Sequence, residues 1–271
     1  MKTLSFSFIL LSKFIILEFE LILILCSVAF CAGFVDSIVG GGGLIQTPLS
    51  LALLPNYPVA TIIGSLKVPA FTGTALATSQ YLKKIKIQWK LFTIMAIIAF
   101  ISAFLGSKLL TMINNDFMKP LLFIVLILLF IYTVFKKDFG QAKARTIAKK
   151  ESIIKGILIA FVVGMYDGFI GPATGTFFIV AFVSLLRMDF LQASATAKLV
   201  NLATNFGSIC LFLISGKIIW AIAIPMAICN GLGGFLGAKL AIAKGNTFIR
   251  YIFMFVILLS ICRFGYEVFI S

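Results

Sequence analysis

Gly33-Phe34-Val35-Asp36-Ser37-Ile38-Val39-Gly40-Gly41-Gly42-Gly43-Leu44-Ile45-Gln46-Thr47-Pro48 and Gly164-Met165-Tyr166-Asp167-Gly168-Phe169-Ile170-Gly171-Pro172-Ala173-Thr174-Gly175-Thr176 are two versions of one pattern, 131 residues apart. In each, an apolar run reaches an aspartate and then breaks on glycine. Four glycines in succession oppose a continuous helix, since each costs about 1 kcal/mol against alanine. They offer instead close backbone approach, exposed N–H groups and the partly positive N-terminus of the next helix. A single glycine would read as a packing notch between helices. A run of four, echoed by Gly171-Pro172 and Gly175, reads as a site that holds an anion on backbone N–H groups. The candidates are Gly40, Gly41, Gly42, Gly43, Gln46 and Thr47 in the first copy, and Gly171, Thr174, Gly175 and Thr176 in the second.

The same offset extends without a gap from Glu20 onward. It pairs Glu20 with Glu151, Asp36 with Asp167, Lys67 with Lys198, Lys86 with Lys217, and Asn115 with Asn246. It also pairs Leu105-Gly106-Ser107-Lys108-Leu109 with Leu236-Gly237-Ala238-Lys239-Leu240. Coincidence among Leu, Ile and Phe means little in so apolar a chain. Both tryptophans, Trp89 and Trp220, form one pair, however, and four of the nine acidic residues form two. The expected organisation is a lead-in over 1–19, a first transmembrane repeat over 20–135, a basic cytoplasmic linker over 136–150 and a second transmembrane repeat over 151–271. Loops 83–90 and 136–150 carry the densest lysine clusters and are read as cytoplasmic. The turn at 244–250, with Lys244 and Arg250, outweighs the lone Lys217 and favours inverted over parallel repeats.

Of the 271 residues, 61% are hydrophobic and 12% charged, and the mean hydropathy is +1.15. Soluble domains hold about 45–50% apolar and about 25% charged residues. The expected fold is therefore an all-α integral membrane protein, a polytopic bundle of about eight spans built from two homologous repeats, each with a glycine-rich broken helix. Apolar stretches lie near 17–35, 59–79, 91–113, 120–135, 152–166, 191–214, 218–243 and 249–270, and a bilayer crossing needs about 20 helical residues. The pieces 44–54 and 176–186 are half that length and are expected to be broken or re-entrant helices lining a protein-buried cavity. A cleaved leader over 1–32 is disfavoured, because Glu18 and Glu20 interrupt the apolar run and the repeat already includes Glu20.

The chain has no histidine, which removes histidine zinc sites, Ser-His-Asp triads and imidazole proton shuttles. Cys26, Cys31, Cys210, Cys229 and Cys262 stand singly in apolar runs and read as small buried hydrophobes. Neither a metal nor a cofactor is expected. The formal charge of +14 lies in short loops between apolar segments, the pattern of cytoplasmic loops rather than of a nucleic-acid surface.

Lys67 and Lys198 sit inside apolar segments, in polar company that includes Ser65, Thr72, Thr196, Asn201, Thr204 and Asn205. A lysine at the bilayer centre costs at least about 2.5–3.5 kcal/mol, so it turns to a partner or a wet cavity. Two roles are open: counter-charge for a bound anion, with Asn201 beside it, or ion-pair partner to Asp36 and Asp167. These two aspartates are also the candidates for proton coupling, against a plain helix-capping role. Lys108 and Lys239 read as snorkelling, and Lys86/Trp89 and Lys217/Trp220 as interfacial anchors.

With its paired motifs Gly33–Pro48 and Gly164–Thr176, the two tryptophans and the Leu-Gly-x-Lys-Leu pair, the chain resembles the sulfite exporter TauE/SafE family of membrane permeases from about residue 20 on. The second motif departs from the family in Ala173 and Thr174, where more glycine is common. The resemblance implies a multi-pass permease of the bacterial inner membrane that moves sulfite, sulfonates or related sulfur-containing or organic anions. The expected partners are that small anion and the lipid bilayer, with a homo-oligomer open and no nucleic acid. Gly40–Gly43 lacks a following Gly-Lys-Ser/Thr, so no nucleotide-binding loop drives transport on this chain. The reading is a secondary carrier working by alternating access, not an enzyme. An anion channel is the alternative, and an intramembrane enzyme a more distant one.

Overall fold

A computed structural model describes the backbone of residues 2–113 and 149–269, and the side chains of residues 19–113 and 151–252 apart from Asn246 and Arg250. In hydrocarbon, a helix is the local way to satisfy every backbone N–H and C=O, and no strand occurs among the described residues. The helices are α1 (Lys2–Val39), α2 (Gly42–Leu53), α3 (Val59–Leu82), α4 (Trp89–Met112), α5 (Lys149–Phe169), α6 (Thr174–Leu185), α7 (Phe190–Ile214) and α8 (Trp220–Phe269). Gly245, at φ 73°, interrupts α8. At an offset of 131, α5, α6 and α7 repeat the bounds of α1, α2 and α3 to within one residue at each comparable end, and Trp220 opens α8 as Trp89 opens α4.

Among the described residues, six stretches are long and apolar enough to cross a bilayer: Phe19–Val39, Val59–Leu82, Trp89–Met112, Glu151–Phe169, Phe190–Ile214 and Trp220–Gly245. These answer six of the eight expected spans. The expected span 120–135 lies outside the described residues, as does linker segment 136–148. That at 249–270 falls on the part of α8 beyond Gly245. The half-length pieces are α2 and α6, of 12 residues each. At about 1.5 Å per residue, each reaches about 18 Å, too short to cross.

Helix direction follows from which residues meet. Gly156 sits against Leu91 and Met95, Gly164 against Ala99 and Ser102, and Gly168 against Ala103, so α4 and α5 run parallel. In the same way, Gly233 meets Phe30 and Gly237 meets Phe34 and Ser37, so α1 and α8 run parallel. Gly64 meets Phe212, while the rings of Phe71 and Phe206 lie 5.9 Å apart, so α3 and α7 are antiparallel. Leu51, Leu53 and Leu54, at the end of α2, share an apolar cluster with Leu21 and Leu25, so α2 turns back along α1.

The result is an exchange. α4 packs on α5 and α7, whereas α8 packs on α1 and α3. Glycine makes both contacts close: a Cβ on Gly106 would strike the backbone of Met165, and one on Gly237 the backbone of Phe34. The two Leu-Gly-x-Lys-Leu segments are thus helix-packing notches. Outward, Ile97, Ile101, Leu105 and Leu109 on α4, and Ile224, Ile228, Leu232 and Leu236 on α8, form exposed apolar stripes. Their four-residue spacing puts each set on one helix face, the face for lipid.

Candidate functional site

Both hairpins, α1–α2 and α5–α6, end in a glycine turn, and the turns meet. The break in the first copy is shorter than the glycine run suggests. α1 continues to Val39, Gly40 turns at φ +81°, Gly41 caps, and Gly42 and Gly43 already belong to α2. Gly171, the counterpart of Gly40, turns at φ +90°. Helix is tolerated at Gly42 and Gly43 because first-turn N–H groups lack intrahelical partners in any case. Thr176 donates its N–H to Gly40 O (3.1 Å) and its hydroxyl to Val39 O (3.0 Å), which ties the two turns together. A Cβ at Gly40 would overlap the backbone of Gly175, and one at Gly42 would overlap Ala32 O. These glycines therefore serve close approach of backbone to backbone as well as lining a cavity.

Each turn carries its aspartate to a lysine of the other half. Lys67 Nζ, on α3, donates to Asp167 Oδ1 at 2.9 Å and to the Asp167 backbone carbonyl at 2.6 Å. Lys198 Nζ, on α7, donates to Asp36 Oδ2 at 2.6 Å. The Thr174 hydroxyl lies 2.8 Å from Asp167 Oδ1 and 2.7 Å from Gly171 O. Gly42 N–H reaches Asp36 Oδ1 at 3.3 Å. The side chains of Lys67 and Asp167 are 6% and 3% exposed, and those of Lys198 and Asp36 are 0% and 22%. Buried ions of this kind persist only when paired and hydrogen-bonded.

A cavity opens where these elements converge. It leaves about 60 Å³ for the centres of water-sized spheres, several times what one water needs. Asp36, Gly40, Gly42, Gly43, Gln46 and Thr47 line it from the first hairpin, and Asp167, Gly171, Thr174 and Gly175 from the second. Lys67 and Asn201 complete the expected residues on its wall. Gly41, Thr176 and Lys198 are not on the wall: Thr176 is spent on the turn junction, and Lys198 is fully buried with its ammonium on Asp36.

The sequence reading missed Asn230, which lines the cavity and donates to Gln46 Oε1 at 3.0 Å. It also left Thr74 unnamed and Asn205 only as polar company, although both line the wall and Asn205 donates to Asn201 Oδ1 at 2.8 Å. An asparagine inside an apolar helix is itself a signal, because an amide in hydrocarbon needs a partner. Two residues of this wall each carry a buried polar atom without a partner among the described residues: Asp167 Oδ2 and Gln46 Nε2. No group of three His, Cys, Asp or Glu side chains among the described residues could hold a metal. Chemically, the wall offers the Lys67 ammonium, two carboxylates, amide N–H groups and the N-terminus of α6, enough to bind a small polar ion.

A family model described as Sulfite exporter TauE/SafE matches residues 25–264. A "Probable membrane transporter protein" of Haemophilus influenzae is 33% identical over 231 residues, covering 85% of this chain and 89% of that protein. "Probable membrane transporter protein YfcA" of Escherichia coli K12 is 31% identical over 227 residues, 84% and 83% of the two chains. "Probable membrane transporter protein YdhB" of Bacillus subtilis is 25% identical over 217 residues, 78% and 87%. No solved structure matches.

Proposed function

We propose, from the premise that this chain belongs to the sulfite exporter TauE/SafE family of membrane transporters, that it is a secondary permease for a small anion. The substrate class is sulfite, a sulfonate or a related sulfur-containing or organic anion, carried across the bacterial inner membrane. The observation that carries the reading is the crossed pair of buried Lys–Asp contacts at two facing helix turns, Lys67 with Asp167 and Lys198 with Asp36, around one cavity. Broken helices that bring their termini and backbone groups to a buried site are how such carriers hold ions. We read 20–135 and 151–271 as inverted repeats, in keeping with the antiparallel course of α3 and α7. Alternating access is then a rocking of one hairpin set against the other about the Gly40–Gly175 contact.

Purified protein in liposomes tests this. Uptake of sulfite, thiosulfate or methanesulfonate should saturate, and the same anion should raise the melting temperature of the detergent-solubilised protein. Lys67→Met, which removes the one ammonium that the described residues place on the cavity wall, should weaken affinity at least about tenfold, or about 1.4 kcal/mol. Flux that never saturates would indicate a channel, and no uptake or stabilisation by any of the three would sink the anion reading.

A further inference from the structure

The charges around the cavity do not suit an anion arriving alone. Two ammonium groups, Lys67 and Lys198, each touch one carboxylate, Asp167 and Asp36. That set is neutral. A monoanion added to it leaves an uncompensated negative charge in a low-dielectric interior, which is strongly disfavoured.

The two pairs are also unequal. Asp36 has both oxygens engaged, Oδ2 by Lys198 at 2.6 Å and Oδ1 by Gly42 N–H at 3.3 Å. Asp167 has Oδ1 crowded by Lys67 at 2.9 Å and Thr174 at 2.8 Å, while Oδ2 is buried with no partner among the described residues. A bare carboxylate oxygen there forfeits the hydrogen bonds it would have in water. A protonated one becomes a donor and calls for an acceptor. An oxyanion in the cavity is that acceptor.

We propose that the anion binds together with one proton, and that the proton resides on Oδ2 of Asp167. This rests on the anion-permease reading above. A hydronium from the wet cavity gives its proton to the Asp167 carboxylate and leaves as water, and no other bond forms or breaks. The neutral acid then donates its O–H to the anion, and Lys67, released from its counter-charge, attracts it.

The groups facing Asp167 fit this assignment. Lys67 comes from α3, and Asp36, held by Lys198 of α7, lines the wall from α1. Tyr166, its neighbour on α5, commits its hydroxyl to Pro172 O at 2.7 Å. α6 contributes Thr174 and α8 contributes Asn230, and among the described residues α2 and α4 place no ionisable side chain on the wall. Transport of a monoanion is then electrically silent, with one proton carried per anion.

The test uses purified full-length protein in weakly buffered detergent solution with a pH-indicator dye. Methanesulfonate and ethanesulfonate are the probes, because each is a monoanion that does not change its own protonation near neutral pH, whereas sulfite does. Wild type should take up about one proton per anion bound, and its affinity should fall about tenfold per pH unit on the alkaline side. Asp167→Asn should bind without proton uptake and with an affinity independent of pH. Asp167→Glu, which restores a carboxyl at the same place, should keep the uptake. Anion binding to wild type with no proton taken up overturns the proposal, and this needs no variant to fold. Uptake that survives in Asp167→Asn overturns it as well. If neither anion binds wild type, the permease reading falls first and this assignment with it.

Discussion

Removing Lys198 measures what the inner ion pair contributes. Lys198 is fully buried, with its ammonium 2.6 Å from Asp36 Oδ2. In Lys198→Met the Asp36 carboxylate keeps, among the described residues, the Gly42 N–H alone. Breaking a buried pair from one side costs about 3–5 kcal/mol. Asp36 is 22% exposed, so water reaches the stranded carboxylate and the cost should fall near about 3 kcal/mol. Asp36→Asn strands the other partner, a lysine with no exposure at all, and should be the worse of the two. Removing both charges, in Asp36→Asn with Lys198→Met, strands neither partner of this pair. The double variant should therefore recover about 2 kcal/mol or more relative to the sum of the singles. At about 2–4 °C per kcal/mol for a chain of this size, Lys198→Met should lose roughly 10 °C in melting temperature. Thermal unfolding of the four proteins in one detergent completes the cycle. Additive losses, or a Lys198→Met protein as stable as wild type, would show that this contact is not a working ion pair.

Three further outcomes are expected. Gly40→Ala forces a Cβ into the Gly175 backbone at a positive φ; it should abolish transport while the protein still inserts, as checked by uptake against membrane yield. Tyr166→Phe deletes the 2.7 Å bond to Pro172 O and should cost about 0.5–1.5 kcal/mol by thermal unfolding, with the ring contact to Phe177 kept. Because the start of α3 lies beside the end of α7, a cysteine at Lys84 and one at Ser215 should react with membrane-impermeant reagent from opposite sides, Lys84 from the cytoplasm; labelling of both from one side would refute the antiparallel course.

Much of this arrangement was legible because the chain states it twice. Asp36 and Asp167, Lys67 and Lys198, and the glycine turns stood out as repeated polar residues in apolar surroundings, and both α2 and α6 were visible as half-length pieces. Their pairing across the halves was not visible, since no spacing along the chain says that Lys67 meets Asp167 rather than Asp36. The reliance on repetition also hid Asn230, whose counterpart at the same offset is Ala99, a fully buried packing residue. The glycine run misled in another way. Composition argues against helix through Gly42 and Gly43, but a tertiary contact with Ala32 and Asp36 admits no side chain at Gly42, and packing overrides propensity there.

The exchange of α4 and α8 between the halves has a consequence for biosynthesis. α4 leaves the ribosome with its glycine notch ready, but α5 and α7, which cover it, follow only over the next hundred or so residues. At about 5–20 residues per second, that is a delay of about 5–20 s. During it, Ser107 and Gly106 face lipid or a chaperone rather than Gly168 and Met165. α1 and α3 wait longer still for α8. Neither half can reach its final packing while the other is missing, so the nascent chain must remain loosely assembled in the bilayer until translation is nearly complete.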